Sequence, residues 1–89
     1  MNIEIANASM NRDDEGAYLG RTVFRAEGHK ADYEITFYSK RGKEWDYSLN
    51  FASESGDEDQ MLQLDAAIEE DDDLFDSLLD AALESATAE

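Results

Sequence analysis

The feature that most constrains this chain is a strict two-residue alternation. Trp45, Tyr47, Leu49 and Phe51 alternate with Glu44, Asp46, Ser48 and Asn50. Just upstream, Tyr33, Ile35 and Phe37 alternate with Glu34, Thr36 and Tyr38. A period of two puts all members of one set on one face of a strand. The intervening Lys40-Arg41-Gly42-Lys43 carries a glycine able to take positive φ, so the two runs read as a hairpin. Tyr18 to Glu27 is rich in aromatic and β-branched residues and offers a third alternating set, Tyr18, Gly20, Thr22, Phe24 and Ala26. Gly28 to Lys30 makes a connection. Ile3 and Ile5 predict a further short N-terminal strand, followed by a polar turn from Asn11 to Gly16. The result is an antiparallel meander of three strands, four with the N-terminal one. One face is aromatic and the other polar, and Trp45 is expected in the core.

A sheet with one apolar face needs a cover. The C-terminal part supplies it. Ser55-Gly56-Asp57-Glu58 matches the Ser-x-x-Glu capping box. Met61, Leu64 and Ile68 follow at helical spacing, and Leu74, Phe75, Leu78, Leu79 and Ala82 repeat with the same period. Between them lies the acid run Glu69, Glu70, Asp71, Asp72 and Asp73, which either breaks the helix or forms a negative turn of one long helix. Asp71, Asp72 or Asp73 would cap a second helix, and acids suit its first turn. The predicted fold class is therefore α+β. A three- or four-stranded antiparallel meander (17–54) is followed by two acidic helices (57–85) packed on one sheet face. The chain forms a single domain, with 1–16 and 86–89 loosely ordered.

Charge is distributed unevenly. The 89 residues carry 23 acids and 7 bases, a formal net charge of −16. Residues 1–56 hold ten acids and all seven bases, whereas residues 57–89 hold thirteen acids and no base. High net charge is a mark of disorder, but a 42% hydrophobic fraction in patterned segments points to a folded chain. On the second helix, Asp72, Asp76, Asp80 and Glu84 fall at four-residue steps, about 6 Å apart along the axis. Leu74, Phe75, Leu78 and Ala82 lie largely opposite. Like charges at this spacing destabilise a helix by about 0.2–0.5 kcal/mol per pair. Asp80 and Glu84 also sit toward the negative end of the helix dipole, where cations are favoured. Stability alone would place lysines there. The row is thus a candidate for recognising a basic surface, and Glu69, Glu70, Asp71 and Asp73 extend it.

Other chemistries are poorly served. The chain has no cysteine and one histidine, which excludes disulfides, thiolate metal centres and histidine pairs. His29, between Gly28 and Lys30, reads as an exposed turn residue. Asn11, Asp13, Glu15 and Gly16 match the opening of an EF-hand loop, but the twelfth position is Thr22 rather than glutamate and the flanks read as strands. No metal, cofactor or catalytic residue is assigned. Aromatic strands can stack bases, yet the charge has the wrong sign for nucleic acid, so direct nucleic-acid binding is not expected. No apolar run is long enough to span a membrane. The first ten residues read as strand rather than secretion signal, and a cytoplasmic location is expected.

In architecture and charge, the three-strand antiparallel meander followed by acidic helices, over about residues 17–85, resembles small acidic DNA-mimic inhibitors of phages and mobile elements, of the anti-CRISPR or anti-restriction type. The pattern from Glu44 to Glu84 is similar to some anti-CRISPR proteins, in which a last strand runs through a Ser/Glu-rich turn into two acidic helices. Here these are Trp45 to Phe51, then Ala52-Ser53-Glu54-Ser55-Gly56, then the helices. The resemblance implies a non-enzymatic stoichiometric inhibitor whose carboxylates compete with phosphates for the Lys/Arg channel of a nuclease or other DNA-binding protein. The same electrostatics would serve a toxin-immunity protein. The alternatives are a small regulatory or interaction domain whose acidity is incidental, and an acidic surface adapted to high salt.

Overall fold

The computed structural model describes residues 2–53 and 56–87. Four strands, β1 (Ile3–Arg12), β2 (Tyr18–Ala26), β3 (Asp32–Ser39) and β4 (Asp46–Phe51), form one antiparallel sheet in the order β1-β2-β3-β4. Two helices follow, α1 (Glu58–Glu70) and α2 (Asp72–Thr87). The α+β architecture expected from the patterning is the one observed.

The alternating sets of β2 and β3 point as their periods predict. Thr22, Phe24, Ala26, Tyr33, Ile35 and Phe37 are buried on one face. Residues 1–16, expected to be loosely ordered around a short two-isoleucine strand, instead contribute the ten-residue β1 and its turn, because a bulge changes the strand's parity and lets Ala8 and Met10 continue the core-facing set. Ile3 pairs with Ala26 and Ile5 with Phe24, then the register shifts and Ala8 pairs with Thr22 and Met10 with Gly20. Directly opposed residues share a face, so the core-facing positions switch from odd to even across Ala6. Met10 fits because position 20 has no side chain. A Cβ there would lie 2.5 Å from the Met10 Cε. In the β3–β4 turn, Gly42 has φ +78° and packs against the Tyr18 ring.

Trp45 packs against the core as expected, but it is only partly buried. It precedes β4 at the corner of the sheet, with its ring centroid 5.7 Å from Tyr18 and 6.5 Å from Phe37. Phe75, in the first turn of α2, packs against the same core, 5.6 Å from Phe37 and 5.7 Å from Tyr47. His29 is half-buried rather than exposed, and its Nδ1 lies 2.8 Å from the Tyr33 hydroxyl.

The two helices run as an antiparallel pair over the apolar face. The α1 start is tied to the β2–β3 turn by Gln60, whose side chain accepts from the Lys30 N–H and donates to the Gly28 carbonyl. One turn further on, Tyr47 at the opposite end of the sheet donates to Asp65. Phe75 then starts α2 beside Phe37, and Leu78 returns to mid-sheet at Thr22. Leu64, Ile68, Leu74, Leu78, Leu79 and Ala82 close the core. The cap of α1 is Asp57, whose carboxylate accepts from the Asp59 and Gln60 N–H groups. The proposed capping residue Ser55 lies outside the described residues.

Asp71 breaks the acid run into two helices. Its backbone is extended, with φ −114° and ψ 99°. Its N–H still donates to Ala67, while its carboxylate accepts from the N–H groups of Asp73 and Leu74. One residue thus ends α1 and caps α2.

Candidate partner-binding surface

The core-facing stripe of α2 decides where its acids go. With Leu74, Leu78 and Ala82 buried against the sheet, Asp72, Asp73, Asp76, Asp80 and Glu84 are left exposed. Each four-residue step advances about 40° around the axis, so the row climbs obliquely. Asp73, Asp76, Asp80 and Glu84 form the tighter stripe, and Asp72 stands at its margin. Neither helix has a basic residue in its last turn. Asp72, Asp76 and Asp80 make no ion pair among the described residues. The two ion pairs found there, Arg21 to Glu34 and Arg25 to Asp32, join residues of the sheet. Among the described residues, Arg21 and Arg25 thus pair within the sheet and not with Asp72, Asp76 or Asp80.

The remaining predicted residues separate into three settings. Glu70, at the end of α1, is exposed next to the helix break. The Asp71 carboxylate is committed to the α2 cap. Glu69 does not join the α2 row. It stands on α1 beside Asp65, and both carboxylates face the Tyr47 hydroxyl, which donates to Asp65 at 2.9 Å. Burial and these two carboxylates push the Tyr47 phenol well above its usual range. Asp65 carried no sequence signal, since its partner lies 18 residues away on a strand.

The calcium-loop resemblance dissolves in the structure. Asn11 belongs to β1, and Thr22 is buried in β2. The Asp13 carboxylate accepts from the Glu15 and Ala17 N–H groups and so closes the β1–β2 turn. Among the described residues no cluster of three or more carboxylate or imidazole groups converges on a metal position. A surface hollow of about 550 Å³ is lined by Arg25, Lys30, Asp32 and Asp57 among others, and three of these charged groups are already engaged. Arg25 pairs with Asp32 at 3.0 Å, and Asp57 caps α1. No helix among the described residues is long and apolar enough to cross a membrane. No protein-family model, no curated protein and no solved structure matches the chain.

Proposed function

We propose that this is a non-enzymatic acidic binding protein that uses α2 to occupy the basic nucleic-acid-binding surface of a nuclease or other DNA-binding protein, in the manner of a DNA-mimic inhibitor. The observation that carries this reading is the exposed α2 face, where five carboxylates stand in a helix that holds no lysine or arginine. From Asp72 to Glu84 the axis rises about 18 Å, so the five carboxylates are spaced on average about 4.5 Å apart. That is nearer to the about 3.4 Å per charge of a single DNA strand than to the about 1.7 Å of the duplex. The α2 face therefore imitates one strand rather than both. The helix is also anchored by its buried leucines, so its charges are held in place before a partner arrives, which limits the entropy lost on binding.

The test is capture of partners on the immobilised protein at low salt, beside a variant carrying Asp72→Asn, Asp76→Asn, Asp80→Asn and Glu84→Gln. A DNA-binding protein that is released by moderate salt, is displaced by duplex DNA and is not held by the variant supports the proposal. A partner that the variant holds equally well overturns it and makes the acidity incidental.

A further inference from the structure

The edge strand β4 has an open main-chain edge beside an acidic, partly apolar groove. Ala52 donates to the Asp32 carbonyl, and β3 and β4 pair residue for residue from Tyr33–Phe51 to Tyr38–Asp46. In an antiparallel ladder the inward-bonded residues then fall at every second position, Ser48 and Asn50 among them. Tyr47, Leu49 and Phe51 therefore aim their N–H and C=O groups away from β3, and among the described residues no other strand pairs with that edge. Edges of this kind are usually blunted by lysine, proline or a bulge. β4 has none of these, and its one charged residue is Asp46.

Alongside the edge runs a hollow of about 350 Å³ between β4 and α1, lined by Tyr47, Leu49, Met61, Leu62, Asp65 and Glu69 among others. Leu62 is 66% exposed, the most exposed large hydrophobic side chain among the described residues. Asp65 and Glu69 both address the Tyr47 hydroxyl, a group with one proton to donate. Asp65 takes that proton, Glu69 stands close by, and neither carboxylate forms an ion pair among the described residues. A cation arriving here would find an acceptor already in place.

We infer that the β4 edge takes up an extended segment of a partner polypeptide as a fifth strand, with an apolar residue and an arginine or lysine two positions apart on its α1-facing side. Main-chain bonds to Tyr47, Leu49 and Phe51 would supply affinity, and the groove would supply selectivity. The apolar side chain would cover Leu49 and Leu62, and the cation would meet Asp65 and Glu69. A second copy of this chain fits poorly. Pairing two β4 edges would bring two carboxylate pairs together across the new ladder, between molecules each of charge −16. The inference concerns a surface separate from the α2 row and does not rest on it.

The probe is a blocked peptide, Thr-Leu-Thr-Arg-Thr-Leu-Thr, titrated into the isotopically labelled full chain. Its leucine and arginine N–H groups would face β4. The expected result is amide shift changes concentrated in residues 47–51 and 61–69. Methylating those peptide nitrogens should weaken binding about tenfold or more, because each net hydrogen bond lost is worth a factor of about five and three are removed. Leu62→Lys, at an exposed helical position, should weaken binding similarly, whereas Asp76→Asn with Asp80→Asn should leave it unchanged. Failure to bind, equal binding of the methylated peptide, or shift changes centred on α2 would overturn the inference. Sedimentation showing a dimer that Leu62→Lys dissolves would overturn it in favour of a second copy.

Discussion

The Thr22 hydroxyl, at the centre of β2, donates a 2.8 Å hydrogen bond to the main-chain carbonyl of Leu78 in α2. Both residues are fully buried. A carbonyl oxygen has two lone pairs, so this bond adds to the helical ladder rather than replacing it. It sets the height of α2 over the sheet, and with it the side of α2 that faces water. Thr22→Val keeps the shape, loses the bond, and should cost about 1 kcal/mol. Thr22→Ser keeps the bond and loses a methyl group, for about 1 kcal/mol. Thr22→Ala loses both, for about 2 kcal/mol. Urea unfolding of the three variants checks the order. Equal stability of Thr22→Val and wild type would show that the bond contributes nothing net.

Asp71 does two jobs with opposite electrostatic consequences. Its carboxylate caps α2, but it stands among Glu69, Glu70, Asp72 and Asp73. Asp71→Ala should cost about 1 kcal/mol through the lost cap, reduced by relief of repulsion. Asp71→Asn preserves the cap and removes the charge, so it should be at least as stable as wild type. Thermal unfolding at low salt separates the two. A helix that tolerates Asp71→Ala without loss would mean that the break is held by packing of Leu74 and Phe75 alone.

How much of this was legible in the chain depends on how local each feature is. The faces of β2, β3 and β4 and the acidic stripe of α2 repeat within one element, so periodicity reveals them. The length of β1 was hidden because its bulge splits the pattern into Ile3 and Ile5, then Ala8 and Met10, and because alanine carries little hydrophobic signal. Asp71 was legible only as one of three capping candidates. Choosing among them requires knowing which turn packs Leu74 inward. Trp45 continues the β4 alternation in sequence and in burial, but its ring contacts with Tyr18 and Phe37 are tertiary and leave no local trace. The pairing of Tyr47 with Asp65 and Glu69 joins a strand to a helix and was invisible for the same reason.

Tyr47 gives the protein a distinctive alkaline response. Its phenol is raised by burial first and by Asp65 and Glu69 next, and Tyr33 is raised by burial and by the charge of Asp57. A raised folded-state pKa means that the folded state holds the proton more tightly than the unfolded state. The stabilisation is fully present below the unfolded value of about 10 and is lost as pH climbs past it. Stability should therefore fall steadily from about pH 10 upward. Tyr47→Phe should make that fall shallower without abolishing it, because Tyr33 remains. A pH series of urea midpoints measures both slopes, and identical slopes would remove Tyr47 from the account.

Neutralising the α2 row should separate stability from binding. Three like-charge steps join Asp72, Asp76, Asp80 and Glu84, each worth about 0.2–0.5 kcal/mol, so the fourfold Asn/Gln variant should gain about 1 kcal/mol at low salt. Removing acids near the α2 C-terminus adds to that gain, while the loss of Asp72 from the first turn offsets part of it. The gain should shrink as salt screens the wild type, since the Debye length falls to about 8 Å at physiological ionic strength and about 3 Å at 1 M. A protein adapted to high salt would behave differently, with wild-type stability still climbing at molar salt after wild type and variant converge. A row kept for recognition predicts a variant that is more stable and binds less, with both differences largest in dilute buffer. A variant less stable than wild type at every salt concentration would show that the carboxylates serve the fold, and would remove the reason for assigning them to a partner.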